Sequence, residues 1–441
     1  MNSDGFCVKQ MFDRLPQKLR LVIIILVSVF VQYNMANAAD FTIIVTGKPA
    51  KSAFIKRTVT DFFADRGMDF TLTGSSAVPN LMPGRSCELS GRISQKAPSV
   101  KPTAPAAAPD DGNDEQNGNN PQASVSKPQG MTRNVSIRVE NEYVPSIPCE
   151  FLALSNHPEK VKDRGVYFDA SVIRHKPVRL RYYHQGEEKS PPHYLGCYLV
   201  NRTKKMARMH VVEALGGPSK DWVAAGHFNN LFFFDYKEKN LGRIIEIPPE
   251  SIVPLRRVLL QPNEVVSSTA DLHLLSGGPV QVIMYASEGD DHDFAVETAN
   301  SDTDRHARGA YPMTSITTKG SFSLDDKETF FAVADSPLPS FIEGKPNKGS
   351  YGIMYEFDIT LKNPYPQEKS VSFYFQPRGG IATATFSFDD RPVSVGLTRA
   401  YKMVRLSRIT LPAGGSRTIS VKTMPEDASN YPIRLILLTD D

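Results

Sequence analysis

The sequence of 441 residues lacks the features that would place it in several large classes of protein. Its 51 Lys and Arg nearly balance its 48 Asp and Glu, which excludes a nucleic-acid-binding protein held by bulk positive charge. Only one apolar run approaches the length of a membrane span, and it lies near residue 25. With 40% hydrophobic residues the chain has enough apolar material for two or three folded domains, which excludes wholesale disorder.

The motifs of common enzymes are absent as well. The sequence has no G-x-S-x-G nucleophile elbow, no H-E-x-x-H zinc motif and no G-x-x-x-x-G-K-[ST] phosphate loop. We therefore assign no catalytic residue and favour a non-enzymatic protein. An enzyme that acts on extracellular polysaccharide stays open, because a glycosidase needs only two carboxylates close in space. Glu213, Asp221 and Asp271 are acids that could meet in this way.

The start of the chain has the pattern of an export signal. Lys9, Arg14, Lys18 and Arg20 precede an apolar run of about 11 residues at 21–31, and the A-x-A triplet at 36–38 follows. The alternative, an uncleaved membrane anchor, needs roughly 20 apolar residues. We predict a signal peptide at 1–38, cleaved after Ala38, and an exported protein with no transmembrane span after cleavage.

The rest of the chain divides by composition and by hydrophobic period. Residues 40–95 read strand, helix and strand, which predicts a small α+β unit. Residues 96–131 are rich in Pro, Ala, Asn and Asp and predict a disordered linker. Alternation of period two then dominates, with only a helical turn or two expected within 220–234. We predict a mainly β protein with two antiparallel, immunoglobulin-like β-sandwiches. The first spans 132–300, the second spans 349–441, and a connecting segment at 301–348 lies between them.

Two short stretches resemble known modules. Val45-Thr46-Gly47, the helix after it and the LSGRI stretch at 89–93 resemble the N-terminal domains of outer-membrane secretins and signalling receptors, although the second βα half is missing. This resemblance implies docking on envelope machinery. The stretches 358–375 and 409–421 are similar to the strand–turn–strand pattern of bacterial immunoglobulin-like modules, which implies that fold and no activity.

Several further phrases between residues 180 and 440 resemble an uncharacterised family of exported bacterial proteins. They are Gly217-Pro218-Ser219 with Asp221 and Gly226, the stretch 306–312, the stretch 348–352 and the stretch 376–380. The resemblance implies an exported protein of the surface or periplasm and gives no mechanism. The glycines at 216–217 and 379–380 are predicted to form tight turns beside a bulge.

The densest aromatic cluster is the best candidate for a partner surface. Aromatic faces stack on sugar rings or anchor protein partners, and the same residues also fill cores. The candidate surface consists of Trp222, His227, Phe232, Phe233 and Tyr236.

Metal binding is a weaker prediction. An acid-rich loop between strands can supply the oxygens that calcium prefers, although no EF-hand ladder is present and a solvated loop is the alternative. The candidate ligands are Asp290, Asp291, Asp293, Asp302 and Asp304. His184 and His193 flank a Pro-rich turn and are a minor candidate pair for zinc or copper.

Removal of the signal would leave three cysteines, Cys87, Cys149 and Cys197. At most one disulfide within the chain is possible, and the sequence leaves open Cys87–Cys149, Cys149–Cys197 or three isolated thiols.

These patterns together predict an exported envelope or cell-surface protein that binds an envelope protein complex or a surface glycan through its β-sandwiches. The alternatives are the polysaccharide-acting enzyme and a calcium-stiffened structural spacer. Calcium is the cofactor that the sequence leaves possible, with zinc or copper at His184 and His193 as the minor candidate.

Overall fold

The computed structural model describes residues 40–73, 77–95, 132–289, 294, 296, 298–338 and 345–440. The predicted signal peptide at 1–38 and the predicted linker at 96–131 lie outside the described residues. The protein is mainly β, as the period-two alternation predicts. The strands are β1 (Asp40–Thr46), β2 (Met68–Leu72), β3 (Ser86–Gln95), β4 (Thr132–Asn141), β5 (Phe151–Ser155), β6 (Lys160–Val161), β7 (Gly165–Val172), β8 (Val178–Gly186), β9 (His193–Asn201), β10 (Ala207–Ser219), β11 (Gly242–Ile247), β12 (Ser251–Leu260), β13 (Val265–Ser276), β14 (Val280–Ser287), β15 (Arg308–Tyr311), β16 (Ser315–Ser323), β17 (Glu328–Val333), β18 (Met354–Lys362), β19 (Lys369–Pro377), β20 (Ala382–Phe388), β21 (Arg391–Thr398), β22 (Val404–Leu411), β23 (Ser416–Thr423) and β24 (Ile433–Thr439).

The described residues also form two α-helices, α1 (Ser52–Ala64) and α2 (Trp222–Glu238). The expectation of only a helical turn or two near residue 222 is wrong, since α2 has 17 residues. Asp221 caps it by accepting from the backbone N–H of Ala224 at 2.9 Å. Apolar residues lie around most of this helix, because it packs on the large sheet with one side and against β20 and β21 with another.

A large sheet of eleven strands is the centre of the fold. Its strand order is β15-β5-β8-β13-β10-β11-β1-β4-β3-β2, with β6 beside β8. It packs against a second sheet, β12-β9-β14-β7, and the two enclose a common apolar core that includes Leu180, Leu199 and Leu272. This pair of sheets is the first sandwich. Every residue of β8 is buried, because α2 and the rest of the molecule cover the face of the sheet that the core does not.

A third sheet, β16-β18-β23-β20-β21, and a fourth, β17-β24-β19-β22, form the second sandwich. Their inner faces share a core that includes Phe357, Phe373 and Leu435. The segment 301–348 is therefore more than the predicted connection, because β16 and β17 belong to these sheets. The pairing is also not purely antiparallel, since β16 runs parallel to β18.

The N-terminal segment has the elements that its sequence predicts, namely β1, α1, β2 and β3. However, it does not stand apart from the body on a spacer. Strand β1 lies between β4, to which it is parallel, and β11, with which Ile44 pairs opposite Ile244. The large sheet is therefore continuous across the boundary that composition places between residues 95 and 132.

Candidate functional site

Helix α2 carries the aromatic residues that the sequence selects, but it buries part of them. Phe233 and Tyr236 face the core formed with α1 and the N-terminal strands, and Phe232 packs partly against it. Trp222 keeps 44% of its surface exposed, while its indole N–H donates to the carbonyl of Asn263 at 3.1 Å. The predicted surface therefore separates into core residues and an exposed remainder.

The aromatic rings on one flank of α2 form a continuous row. Phe228 stacks on Phe232 with centroids 6.1 Å apart, and Phe232 stacks on Tyr236 at 6.2 Å, which follows from their i, i+4 spacing. Arg57 of α1 lies over the Phe232 ring at 5.1 Å and donates to the Tyr236 hydroxyl at 3.2 Å. Helix α1 covers the Tyr236 end of the row, whereas Phe228 at the other end is 48% exposed. The sequence prediction omits Phe228.

His227 points away from this row, toward the second sandwich. Its Nδ1 lies 2.8 Å from Glu426 and its Nε2 lies 2.7 Å from the Ser394 hydroxyl. The hydroxyls of Thr383 and Thr385 also donate to the buried Glu426 carboxylate. Burial by itself would lower the pKa of His227, but the hydrogen bond and the charge of Glu426 raise that pKa above its ordinary value. His227 is thus a contact between α2 and the second sandwich.

A buried ion pair lies behind this contact. Arg181 of β8 is 0% exposed and pairs with Asp427, from the loop between β23 and β24, at 2.9 Å. Its guanidinium also donates to the side chains of Asn230 and Thr269 at 3.0 and 2.9 Å, and Ser267 donates to Asp427. These side chains come from both sandwiches and from α2, so this junction holds the three parts together.

The acids considered for a polysaccharide-acting enzyme do not come together. In the β10–β13 pairing Glu213 lies opposite Ala270, whereas Asp271 lies opposite Val212, so the two acids point to opposite faces of the sheet. Arg243 and Arg256 bind Glu213, each at 2.9 Å or less. Arg179 and Lys237 bind Asp271 and hold the pKa of its carboxyl well below its usual range, against the effect of burial. Asp221 is engaged as the cap of α2.

An open polar cleft of about 570 Å³ lies at the loop end of the first sandwich. The described residues that line it are all polar: Thr298, Asn300, Ser301, Asp302, Asp304, Arg308 and Lys345. It brings Asp302 and Asp304, which were predicted as calcium ligands, together with Lys345, which is distant in sequence. The sequence predicts no site role for Asn300, Arg308 or Lys345, because nothing local indicates that residues 298–308 and 345 meet.

Four of these lining residues surround His157, which is 0% exposed. Lys345 Nζ donates to His157 Nε2 at 2.7 Å, and Asn300 Oδ1 lies 2.8 Å from the same nitrogen. Arg308 donates to the carbonyl oxygens of His157 and Ala299 at 3.1 and 2.7 Å. Asp304 Oδ1 lies 3.8 Å from His157 Nδ1, which is buried without a hydrogen-bond partner. The buried His157 thus contacts four of the residues that line the cleft.

Asp304 is fixed by further contacts. Its carboxylate accepts from the backbone N–H of Glu159 at 2.6 Å and of His306 at 2.8 Å, and it contacts the His306 ring at 2.7 Å. The other ring nitrogen of His306 lies 3.0 Å from Glu159. The hydrogen bond to Glu159 is the main reason that the pKa of His306 rises to about 9. His306 is therefore protonated at neutral pH and bridges the two carboxylates.

Of the five predicted calcium ligands, the structure describes two, Asp302 and Asp304. Asp290, Asp291 and Asp293 lie outside the described residues. Among the residues that are described, no group of three or more His, Cys, Asp or Glu side chains is placed to hold a metal ion. His184 and His193 lie on β8 and β9 of different sheets, and burial lowers the pKa of His184 to about 4. His184 is therefore a neutral core residue.

The three cysteines are free thiols in the structure, and the possible disulfide is not formed. They lie far apart in the topology, with Cys87 on β3, Cys149 ahead of β5 and Cys197 on β9 of the second sheet. Burial raises the pKa of each thiol, most strongly for Cys149 and Cys197. Such thiols are poor nucleophiles, which gives them a packing role.

Comparison with known proteins gives no family. No family profile matches the chain, and no curated protein matches it significantly. Among solved structures, Lac15 from a marine microbial metagenome shares 11% identity over 68% of this chain and 66% of its own, just under two thirds, with a TM-score of 0.14. The CBM22 tandem domain of Paenibacillus barcinonensis Xyn10C shares 8% identity over 64% of this chain and 91% of its own, with a TM-score of 0.14. The CupB6 tip adhesin of Pseudomonas aeruginosa shares 12% identity over 64% and 86%, with a TM-score of 0.13. TM-scores this low support no inference about function.

Within the part of the chain that the structure describes, neither helix has the length and apolarity needed to cross a membrane.

Proposed function

We propose that this protein is an exported, non-enzymatic protein of the bacterial envelope or cell surface that binds a protein or glycan partner through the surfaces of its β-sandwiches. Export rests on the charge, apolar run and A-x-A order of residues 9–38. We also propose that the second sandwich is an immunoglobulin-like module. Its Pro-Ala-Gly-Gly-Ser turn at 412–416, which leads into β23, supports that assignment.

The two exposed aromatic rings of α2, those of Trp222 and Phe228, carry the proposal. Trp222 and Phe228 each leave nearly half of their surface in water on a helix whose other aromatic rings are packed. Large rings bury much apolar area for little loss of conformational entropy, which makes them typical anchors for sugars and for protein partners. Trp222 is held by the carbonyl of Asn263 and Phe228 by its stack on Phe232, so both rings are fixed before a partner binds.

The ion pairs of the interior support a binding protein over an enzyme. Glu213, Asp271 and Asp427 each have an arginine partner and serve to hold elements together. A catalytic carboxylate pair would need two acids facing one open cleft with their pKa values pushed apart. Asp302 and Asp304 do line one open cleft, but Asp304 is held by His306 and by two backbone N–H groups. Although burial by itself would raise its pKa, these hydrogen bonds lower the pKa of Asp304, whereas a general acid needs a raised one.

The test uses residues 39–441, because β1 belongs to the sheet of the body and the chain cannot be divided at the linker without removing it. We expect this protein to capture one partner from envelope extract, or one class of glycan on an array. The double variant Trp222→Ala with Phe228→Ala should lose at least about tenfold in affinity, since each buried aromatic anchor contributes about 2 kcal/mol or more.

Phe330→Ala is the matched control, because Phe330 on β17 is 49% exposed and distant from α2 in sequence. Protease treatment of the extract separates a protein partner from a glycan. Partner capture that is equal for the wild type and the double variant would contradict the proposal.

A further inference from the structure

Three charged side chains of the polar cleft already have partners within the protein, while a fourth, Asp302, is exposed on its wall. Arg308 donates to two carbonyl oxygens, and Lys345 donates to His157. Asp304 accepts from two backbone N–H groups and contacts the protonated His306. A ligand therefore does not have to bring an opposite charge for Arg308, Lys345 or Asp304, because these three groups are already bonded within the protein.

The same groups keep hydrogen-bonding capacity toward the cleft. An ammonium has three donors and a carboxylate has about four acceptor positions, so Lys345 and Asp304 are only partly used. Asp302 and Thr298 are exposed on the cleft wall, and Asn300 adds an amide. This wall carries both donors and acceptors, and the described residues that line it include no apolar side chain against which an apolar ligand would be buried.

We propose that this cleft binds a neutral, polyhydroxylated ligand, namely an oligosaccharide, whose hydroxyls donate to Asp302 and Asp304 and accept from Lys345 and Asn300. A sugar hydroxyl is both donor and acceptor, so it matches a wall on which the two kinds of group are mixed. Its hydrogen bonds to charged groups that are fixed in advance are stronger than those to neutral groups. The volume of about 570 Å³ lies within the range of about 300–1,000 Å³ that small-molecule sites occupy.

This inference rests on the proposed function, because a surface glycan is one of the two partner classes proposed there, but it concerns a separate site. The cleft shares no residue with the aromatic surface of α2. The two proposals can therefore fail independently: one by loss of effect at Trp222 and Phe228, the other by loss of effect at the cleft.

The experiment is titration calorimetry with residues 39–441 and a panel of neutral oligosaccharides. Uronic-acid oligosaccharides and inorganic phosphate serve as ionic probes. We expect neutral oligosaccharides to bind, and Asp302→Ala and Thr298→Val each to weaken binding, by about tenfold for Asp302→Ala, as expected for one hydrogen bond to a charged group. Both residues are exposed, so neither change should affect the folded state.

Asp325→Ala and Thr317→Val are the matched controls, since both residues are exposed on the second sandwich. They should leave oligosaccharide binding unchanged. The proposal is overturned if no neutral oligosaccharide binds, if binding is the same in the cleft variants and the wild type, or if only the ionic probes bind.

Discussion

The charged side chain of Arg181 is fully buried, and its ion pair with Asp427 offsets the cost of removing that charge from water. The pair lies between β8 and the loop after β23, where neither side chain can regain water without separating the two sandwiches. Isolated buried charges are far more costly than exposed ones, so each partner depends on the other. The junction therefore specifies how the second sandwich sits on the first.

Removal of Asp427 tests this dependence. We expect Asp427→Ala to lower the free energy of unfolding by about 3–5 kcal/mol, because Arg181 is left buried and unpaired. Urea denaturation of the two proteins measures the change. Glu140→Ala, which breaks the exposed pair with Arg138 at 2.7 Å, should cost at most about 1 kcal/mol. Equal effects of the two substitutions would show that the buried pair contributes nothing special.

His227 makes the same junction dependent on pH. Its pKa in the folded protein is raised above the ordinary 6.5, so the bond to Glu426 stabilises the protein fully below pH 6.5. That contribution is lost as the pH rises through the folded-state pKa. We expect the free energy of unfolding to fall above pH 6.5 more in the wild type than in His227→Gln. Parallel pH profiles of the two proteins, measured by denaturant titration, would contradict this assignment.

At the scale of elements, glycine sets how closely α2 approaches its neighbours. A Cβ at Gly216 of β10 would lie 1.9 Å from the carbonyl oxygen of Ala225, and one at Gly226 would lie 2.2 Å from that of Asp427. The pairing of β10 also shifts register between Gly216 and Ser219, which fits the predicted bulge, but Gly216 and Gly217 lie within the strand and not in the predicted tight turn. Small residues at these positions let the helix pack between the sheet and the second sandwich.

Gly226→Ala is therefore expected to destabilise the protein by about 1–3 kcal/mol, even though alanine favours a helix by about 1 kcal/mol over glycine. The added methyl group would push the Asp427 loop away from the junction. Gly396→Ala on β21 is the control, because a Cβ there meets nothing within 4 Å. Thermal unfolding compares the two variants, and a Gly226→Ala protein as stable as the wild type would remove the close-packing argument.

Local elements were predictable from the sequence where one pattern dominates. The strand–helix–strand order of β1, α1 and β2 follows from alternation and from helical spacing of Phe54, Ile55 and Phe62. Helix α2 was underestimated because it is apolar around most of its circumference, so its sequence has no clean helical stripe. The cleft was not predictable as a set, since His157 and Lys345 are separated by 188 positions.

At the scale of the whole molecule, a bound calcium ion would stabilise the stretch between β14 and β15, which carries all five candidate aspartates. Asp304 already uses its carboxylate to bind two backbone N–H groups and His306. We therefore expect the melting temperature of residues 39–441 to be the same in calcium and in EDTA. A ligand present at a hundred times its Kd would add about 2.7 kcal/mol, so a rise of several degrees in calcium would restore the spacer hypothesis.

The position of β1 decides whether the N-terminal segment is an accessory or part of the body. Pattern alone separates residues 40–95 from the rest, because a sequence shows local periods and not the partners that a strand finds 200 positions away. In the structure β1 bonds to β4 on one side and to β11 on the other, and Arg256 of β12 reaches Asp61 of α1 at 2.9 Å.

Deletion of the N-terminal segment would expose the edges of β4 and β11 and uncover the apolar side chains beneath α1. We expect residues 132–441 alone to unfold at a lower urea concentration than residues 39–441, or to aggregate when expressed. Equal midpoints with equal slopes would mean that the N-terminal segment folds and acts on its own, and the envelope-docking role that its resemblance to secretin domains implies would then become the better explanation of this segment.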